Sequence, residues 1–260
     1  MRNVYLELTE QFNAGSFRAI ISSGQAVVLH RLAIMSKDGD WILREHTEAI
    51  EHVLNVLAEH GARYRFGAPL DARWLAGGWS AHLEFREGEL RVRTDFVTRP
   101  ARIDPARLSR FWEDLSPQQP VVDPVALAEI KKTNREKDYV VIGELARLMR
   151  DPAEQFLYSR SARDLLELAA KHGELLRQMI PQRPLLTEIH NSRTALEAAL
   201  DAERRMLMRV NEVRLASYRQ AAERWAAAWP AFEQETRGLP LQQAHRLMVE
   251  RAVEFLPFAP

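Results

Sequence analysis

Asp38 and Asp40 are separated by one glycine within the segment 36–43, which reads SKDGDWIL. In an extended strand, side chains two positions apart point to the same side, so these two carboxylates are expected to share one face. A third carboxylate, Asp95, lies inside a later strand-like run. Carboxylates on neighbouring strands can hold two divalent cations about 4 Å apart, which clamp the entering and leaving oxygens in phosphoryl transfer. The ion predicted is magnesium, because it prefers hard oxygen ligands and accepts further ones from nucleotide phosphates.

A glycine-containing turn precedes the acidic pair. Ser23, Gly24 and Gln25 lie between the strand-like run 17–22 and the helical run 26–32. A glycine at a strand-to-helix junction lets a phosphate approach the backbone, and amide groups at a helix start favour anions. The side chains of Ser23 and Gln25 could donate further hydrogen bonds. The turn is therefore a candidate nucleotide-binding element.

Each of these features also has an ordinary structural interpretation. The Asp-Gly dipeptide at 38–39 suits the tight turn of a hairpin, in which the acids need no ligand. Asp95 could form a surface ion pair with a nearby arginine, which contributes little to stability. Lys137 and Asp138 form an ordinary solvated pair in most helices. Their occurrence in this order after Gly24 favours one shared site over these separate roles.

Hydrophobic periodicity predicts which elements carry these residues. The predicted strands are 17–22, 40–43, 82–85 and 90–97, with a hairpin turn at 87–89. The predicted helices of this half of the chain are 4–14, 26–32, 46–61 ended by Gly61, and one that begins near Pro105. Strands and helices therefore alternate in the part of the chain that holds the acids.

The second half of the chain is predicted to be helical, because residues 151–260 show no strand-like alternation. One amphipathic helix is expected across 165–179, and a longer helical stretch at 185–229 is expected to end at Pro230. The predicted fold class is α+β. A small mixed-sheet core in a domain at 1–150 is followed by an all-helical C-terminal domain at 151–260.

The composition describes a chain with a sizeable core and no overall charge bias. Of 260 residues, 46% are hydrophobic, and 36 basic residues balance 36 acidic ones, so any basic patch must be local. The chain has no cysteine, which fits a reducing cytosol. The N-terminal segment carries charges where a signal peptide needs apolar residues, and no long apolar run occurs. These properties predict a soluble, cytoplasmic protein without a membrane partner.

The motifs resemble those of the nucleotidyltransferase superfamily of the polymerase β type. In that superfamily, a glycine turn is followed by an acidic pair with one residue between the acids. Within it, segments 23–27 (SGQAV) and 35–40 (MSKDGD) resemble the AbiEii and MenA type of bacterial toxin-related transferases. A Lys-Asp pair in a later helix is typical of that group, and segment 135–139 (REKDY) is similar to it. The resemblance covers roughly residues 17–150.

The resemblance implies a role for each candidate residue. Asp38 and Asp40 would bind metal, and Asp95 would complete the triad and help to deprotonate the acceptor hydroxyl. Lys137 would neutralise the triphosphate, and Asp138 would orient it or the acceptor. The implied activity is transfer of a nucleoside monophosphate from a nucleoside triphosphate to a hydroxyl on RNA, protein or a small molecule. Two Mg²⁺ ions would support it, and the toxin-related group adds an expected role in a toxin–antitoxin system.

A second class of function stays open beside the enzyme. The residue between the two acids is normally apolar in the superfamily, whereas here it is Gly39, and Ile34 stands where an arginine is common. Glycine weakens a strand and offers no side chain to the core. The alternative is a catalytically degenerate relative, in which the fold serves as a binding or interaction module.

Overall fold

The computed structural model describes residues 3–260, which form two compact units. The first unit comprises the chain up to Val122 together with Ala216–Pro260, and the second comprises Asp123–Leu215. The domain boundary near residue 150 stays a prediction. In terms of packing, the chain leaves the first unit after Val122 and returns to it at Ala216. Among residues 3–260, no helix combines the length and the apolar character needed to cross a membrane.

A mixed sheet forms the centre of the first unit. The described residues give five strands: β1 (Ala19–Ile21), β2 (Gly39–Leu43), β3 (Arg63–Tyr64), β4 (Ala81–Glu87) and β5 (Leu90–Val97). They lie in the order β1-β2-β5-β4-β3. The β2 and β5 strands are parallel, and the other neighbours are antiparallel. The predicted mixed sheet is therefore confirmed.

The helices of the first unit lie before, between and after these strands. They are α1 (Val4–Phe12), α2 (Ser23–Leu29), α3 (Thr47–Glu59), α4 (Ala72–Ala76), α5 (Pro105–Asp114), α12 (Glu223–Glu235) and α13 (Leu241–Phe255). The α3 helix ends where the sequence predicted, because Gly61 adopts a φ of +64° just beyond it. The α5 helix begins at Pro105, and Asp104 caps it.

One face of the sheet is packed with aromatic side chains. The rings of Trp41 and Phe96 stack at 5.4 Å on the parallel strands β2 and β5, and the Phe12 ring meets each of them edge-on. All three side chains are buried. Because side chains alternate along a strand, Asp40 and Asp95 lie on the opposite face. The aromatic core thus fixes which face of the sheet presents the acids.

The C-terminal segment packs on α4 within the first unit. Trp74 Nε1 donates to the Leu256 carbonyl at 3.2 Å, and Trp79 Nε1 donates to the Pro257 carbonyl at 2.9 Å. A Cβ at Gly77 would lie 1.7 Å from the carbonyl oxygen of Phe258, so only glycine admits this backbone. The last residues of the chain are therefore part of the fold of the first unit.

Helix α13 is joined to the sheet through a buried hydrogen-bond chain. The Tyr64 hydroxyl accepts from the Leu70 amide at 3.1 Å and is 2.7 Å from His245 Nδ1. The Tyr64 hydroxyl is therefore free to donate its proton to His245. To accept this hydrogen bond, Nδ1 of His245 must carry no proton, so the ring is neutral. Burial lowers the pKa of His245 below its ordinary value of 6.5, and it raises the pKa of Tyr64.

Because His245 is neutral in the folded protein, the free energy of unfolding should decrease as the pH falls below 6.5. Because the folded pKa of His245 is depressed, its contribution is complete above pH 6.5 and is lost as the pH falls through the folded pKa. We expect His245→Asn, which keeps an acceptor but does not titrate, to flatten the pH dependence of unfolding below pH 6.5. The difference in slope is at most about 1.4 kcal/mol per pH unit. Urea unfolding of both proteins measures it, and identical slopes would contradict this assignment.

The second unit is helical. Its helices are α6 (Pro124–Ile130), α7 (Glu136–Leu148), α8 (Pro152–Tyr158), α9 (Ala162–Lys171), α10 (Gly173–Met179), a 3₁₀ helix (Pro184–His190) and most of α11 (Arg193–Ala221). Buried leucines form its core together with Phe156 and Met179. The prediction of a helical C-terminal region is confirmed.

Two predicted helix boundaries in this half are wrong. The single helix expected across 165–179 is two helices, which meet at His172, a residue with extended φ and a ψ of 47°. Pro230 does not end its helix but lies inside α12. The helical stretch also breaks earlier, at Ala222 between α11 and α12. Within α12, Trp225, Trp229 and Phe232 lie on one helical stripe, and their rings pack against one another.

Candidate active site

Asp40 and Asp95 lie side by side on the two parallel strands. Asp40 of β2 is in register with Asp95 of β5, and adjacent strands are about 4.8 Å apart. Two carboxylates at such positions repel each other unless a cation or a donor lies between or beside them. The structure thus brings two of the three predicted acids together on the open face of the sheet.

Asp38 lies directly before β2 and precedes Asp40 by two positions. Its Oδ1 atom is buried but has no hydrogen-bond partner among the described residues. Arg93 Nη1 is 3.5 Å from that oxygen, which is an ion-pair distance without a hydrogen bond. A buried carboxylate oxygen without a donor costs free energy, so this atom is suited to a further ligand.

The charges of Asp38 and Asp40 act on the Tyr5 hydroxyl. The Tyr5 hydroxyl donates to the Lys37 carbonyl at 2.9 Å. Burial raises the pKa of Tyr5, and the charges of Asp38 and Asp40 raise it further. Burial and the two acids therefore disfavour the charged form of Tyr5, whereas Arg93 opposes them.

Asp95 already has two cationic or protonatable neighbours. His82 of β4 is its register partner, and His82 Nδ1 is 2.7 Å from Asp95 Oδ1. Arg65 Nη1 donates to the same oxygen at 3.2 Å. Both interactions use Oδ1. These neighbours fix the orientation of the Asp95 carboxylate and offset part of its charge.

Residues 22–24 follow β1 and form hydrogen bonds with Asp40. The Ser22 amide donates to the Asp40 carbonyl at 2.9 Å, and the Gly24 amide is 3.3 Å from Asp40 Oδ2. Ser23 adopts a φ of +47°, a left-handed conformation that is strained for a residue with a Cβ. A Cβ at Gly24 would lie 2.3 Å from Ser36 Oγ, so a larger residue would force the Ser36 side chain to move.

Gln25 holds the same segment from the other side. Gln25 Nε2 is 3.4 Å from the carbonyl oxygens of Ser36 and Asp38. The Gln25 side chain is buried, whereas Ser23 is partly exposed. The turn and the acidic segment are thus bound to each other by the residues that the sequence proposed for nucleotide binding.

The Asp-Gly dipeptide is not a hairpin turn. Gly39 and Asp40 begin β2, and helix α2 separates that strand from β1 in the chain. The two aromatic rings of Tyr5 and Trp41 fill the space beside Gly39, at 2.5 and 2.3 Å from the position of an added Cβ. These rings occupy the space that a side chain at position 39 would fill.

We expect Gly39→Ala to destabilise the protein by about 1–3 kcal/mol, because the Tyr5 and Trp41 rings must shift to admit the methyl group. Urea unfolding measures this change. Gly173→Ala is the matched control, since an added Cβ there meets nothing within 4 Å and the backbone is helical. That control is expected to be neutral or slightly stabilised, and equal effects of the two substitutions would contradict the packing argument.

Lys137 and Asp138 belong to the second unit, at the start of α7. Lys137 is exposed and Asp138 is buried. Asp138 accepts from Thr133 Oγ1 at 2.5 Å and from Arg135 Nε at 2.9 Å. Lys131 Nζ lies 3.6 Å from its other oxygen. Asp138 therefore stabilises the start of α7, and its role in nucleotide binding stays a prediction.

The sequence indicated an arginine partner for Asp95 as one alternative, but it did not identify Arg65 and His82, nor the pairing of Arg93 with Asp38. Arg93 lies two positions before Asp95 on β5, and His82 is opposite Asp95 on β4. The period-two pattern of both strands contained the signal, because Arg93 and Asp95 must share a face. The pairing of His82 and Arg65 with Asp95 requires the strand register, which the sequence did not specify.

The acids supply oxygen donors of the type that magnesium prefers. Among residues 3–260, no three side chains of His, Cys, Asp or Glu converge as a ready metal cage. Magnesium is usually held by one or two carboxylates, with substrate phosphates and waters as the remaining ligands. The register pair Asp40 and Asp95 and the Oδ1 of Asp38, which accepts no hydrogen bond, are oxygen donors of this kind.

Comparison of the chain with models of known protein families, with curated proteins and with solved structures finds no match.

Proposed function

We propose that the protein is a magnesium-dependent nucleotidyltransferase, which moves a nucleoside monophosphate from a nucleoside triphosphate to a hydroxyl acceptor. The observation that carries the proposal is the register of Asp40 with Asp95 on parallel strands. The buried Oδ1 of Asp38, two residues before Asp40, adds an oxygen without a donor. Acids in this arrangement are suited to holding cations beside a triphosphate.

In the proposed reaction, the acceptor hydroxyl oxygen forms a bond to the α-phosphorus, and the bond from that phosphorus to the bridging oxygen breaks. Pyrophosphate leaves, and the hydroxyl proton passes to Asp95. His82 and Arg65 hold Oδ1 of Asp95, so its second oxygen is the one available to the proton. When bound, magnesium would neutralise charge on the phosphoryl oxygens. Asp38 and Asp40 are the residues that would hold it.

One observation favours the alternative of a degenerate, non-catalytic relative. Arg93 lies beside Asp38, and Arg65 and His82 lie beside Asp95, so part of the acidic charge is already offset by the protein. A site that is neutralised in this way has less need of a cation. In this alternative the first unit binds a nucleotide or a partner without transferring anything.

Binding of a triphosphate with magnesium tests the proposal. At a ligand concentration about 100 times the Kd, stability should rise by about 2.7 kcal/mol. We expect a thermal shift with at least one of the four ribonucleoside triphosphates plus magnesium. It should be lost in the double variant Asp38→Ala with Asp40→Ala and kept in Glu89→Gln. Glu89 is an exposed acid in the turn between β4 and β5 and serves as the matched control.

Incubation with labelled triphosphates and a pool of RNA, protein and small-molecule acceptors separates the two functions. Labelled product that depends on both acids supports the transferase. A thermal shift without any product supports the binding module. The absence of both shift and product, with all four triphosphates, would reject the nucleotide site altogether.

A further inference from the structure

The open face of the sheet, which carries the acids, also carries five arginines: Arg63, Arg65, Arg86, Arg91 and Arg93. Strand pairing places Arg86 opposite Arg91, and two-residue steps along β5 lead from Arg91 through Arg93 to Asp95. Arg65 directly follows β3, and its Nη1 donates to Asp95. These side chains form one surface, the basic face, which extends from Asp95 towards the turn between β4 and β5.

Glu84 holds three of these arginines in place. Its Oε1 accepts from Arg63 Nη2 at 2.8 Å, and its Oε2 accepts from Arg91 Nη2 at 2.6 Å. Arg65 Nε lies 3.9 Å from the same Oε2. Glu84 is buried, whereas the side chains of Arg63 and Arg91 are 73% and 52% exposed. One buried carboxylate therefore orients guanidinium groups that a ligand can reach and that keep unused donors.

Charge changes from row to row along this face. Strand register aligns Asp40 with Asp95 in the first row, where the proposed magnesium ions would bind. In the second row, one two-residue step or about 7 Å away, Glu84 is aligned with Arg63 and Arg93. The face is thus acidic at the row of the proposed chemistry and becomes more basic towards the turn.

The last row before the turn consists of two arginines. Arg86 and Arg91 are aligned and exposed, and the Arg86 side chain forms no hydrogen bond or ion pair with any of residues 3–260. The acids around the two outer rows are Glu84, Glu89 in the turn, and Asp38, which lies 3.5 Å from Arg93. When a cation occupies Asp38, four arginines in these rows face two remaining acids, which attracts an anion.

An exposed aromatic ring adjoins the acidic row. Phe66 follows Arg65 and is 46% exposed. The next residue, Gly67, lies against His82, because an added Cβ there would be 2.5 Å from His82 Cδ2. His82 is in turn the partner of Asp95. The Phe66 ring is held edge-to-face by Trp229 at 5.5 Å. A fixed, exposed ring of this kind is a platform on which a nucleic-acid base can stack.

We propose that the basic face binds a single-stranded nucleic acid, whose terminal hydroxyl is the acceptor in nucleotidyl transfer. Arginine rows at regular steps suit a ligand with anionic groups at regular intervals, which a phosphodiester chain provides and a single small anion does not. Stacking on Phe66 would hold a base near the end of the strand. The acceptor role rests on the proposed function. The terminal hydroxyl oxygen bonds to the α-phosphorus, pyrophosphate leaves, and the proton passes to Asp95.

Fluorescence anisotropy with a labelled oligouridylate of about ten nucleotides tests the surface in magnesium buffer without any triphosphate. The double variant Arg63→Gln with Arg86→Gln should lower the affinity about tenfold or more at low salt. The slope of log affinity against log salt should fall by about 1.4, because two phosphate contacts worth about 0.7 each are lost. This variant should fold, since Arg91 keeps its two hydrogen bonds to Glu84.

Two further variants show whether the effect belongs to this surface. Arg110→Gln with Arg209→Gln removes the same charge from exposed positions on α5 and α11, and it should leave the affinity unchanged within about twofold. Phe66→Ala should lower the affinity about fivefold or more, whereas Phe66→Tyr, which keeps the ring, should not.

Equal affinity in the parent and in the Arg63 and Arg86 double variant would overturn the proposal. Equally tight binding of a polyglutamate peptide of the same length would also overturn it, because the face would then suit an acidic protein. Labelled transfer to other acceptors without oligouridylate binding would overturn it while nucleotidyl transfer stands. Oligouridylate binding through these arginines without any transfer product would reject nucleotidyl transfer and the acceptor role together, and would leave a surface that only binds nucleic acid.

Discussion

Replacement of Asp95 by asparagine should lower the rate of nucleotidyl transfer about a hundredfold to ten-thousandfold, while triphosphate binding persists. The carboxylate of Asp95 is the proposed acceptor of the hydroxyl proton, and general base catalysis contributes rate factors of this size. Asparagine keeps the shape and can still accept from Arg65 through its amide oxygen. It cannot take up a proton at neutral pH.

The stability of Asp95→Asn should change little, since the carboxylate is 23% exposed and its Arg65 partner is 31% exposed. Pairs of this exposure contribute at most about 1 kcal/mol. Turnover of labelled triphosphate and urea unfolding, measured on the same samples, separate a chemical role from a structural one. If Asp95→Asn were fully active, the proton acceptor would have to be another group, and if it bound no triphosphate, Asp95 would serve binding rather than chemistry.

The sequence predicts on which face of its own strand each acid lies, but it does not predict which strands pair. Alternation along 90–97 shows that Asp95 and Phe96 point to opposite faces of the sheet. The spacing of Asp38 and Asp40 places these two side chains on the same side of a strand. The parallel pairing of β2 with β5 could not be predicted, because it depends on tertiary packing. Trp41 stacks on Phe96 across these strands, and this contact joins residues more than fifty positions apart.

In the helical half of the chain, too, the sequence predicts local structure but not tertiary contacts. The amphipathic pattern correctly indicated helices, but it did not show that residues 216–260 return to the first unit. Trp79, Gly77 and the last residues of the chain meet through backbone carbonyls, which have no side-chain signature. Contacts of this kind are set by the tertiary fold, so the sequence pattern did not reveal them.

The sign alternation of the charges from Arg193 to Arg251 predicts a solvated helical face. That interpretation holds for Arg193 and Glu197, which are exposed and pair across one helical turn. It fails for Glu203, which is largely buried and pairs with Arg183, twenty residues earlier in the chain. Sign alternation alone cannot distinguish the two cases, because burial is decided by which side of α11 faces the rest of the unit.

Replacement of Glu203 by glutamine should destabilise the protein by about 3–5 kcal/mol. The carboxylate pairs with Arg183 and Arg160, whose side chains are 4% and 10% exposed. Loss of one partner from a buried ionic cluster leaves the others uncompensated, which is costly in this range. Glu197→Gln is the matched control, because its exposed pair with Arg193 contributes a few tenths of a kcal/mol.

The pH dependence of stability in Glu203→Gln provides an independent test of the ionic contribution of Glu203. Burial alone would raise the pKa of Glu203, but hydrogen bonds and charges from Arg183 and Arg160 outweigh it and lower that pKa below its ordinary value of 4.5. A depressed folded pKa contributes stability that is complete above pH 4.5 and is lost as the pH falls through the folded value. The difference in unfolding free energy between the parent and Glu203→Gln should therefore shrink below pH 4.5. A difference that stays constant through that range would show that the cluster is held by packing rather than by charge.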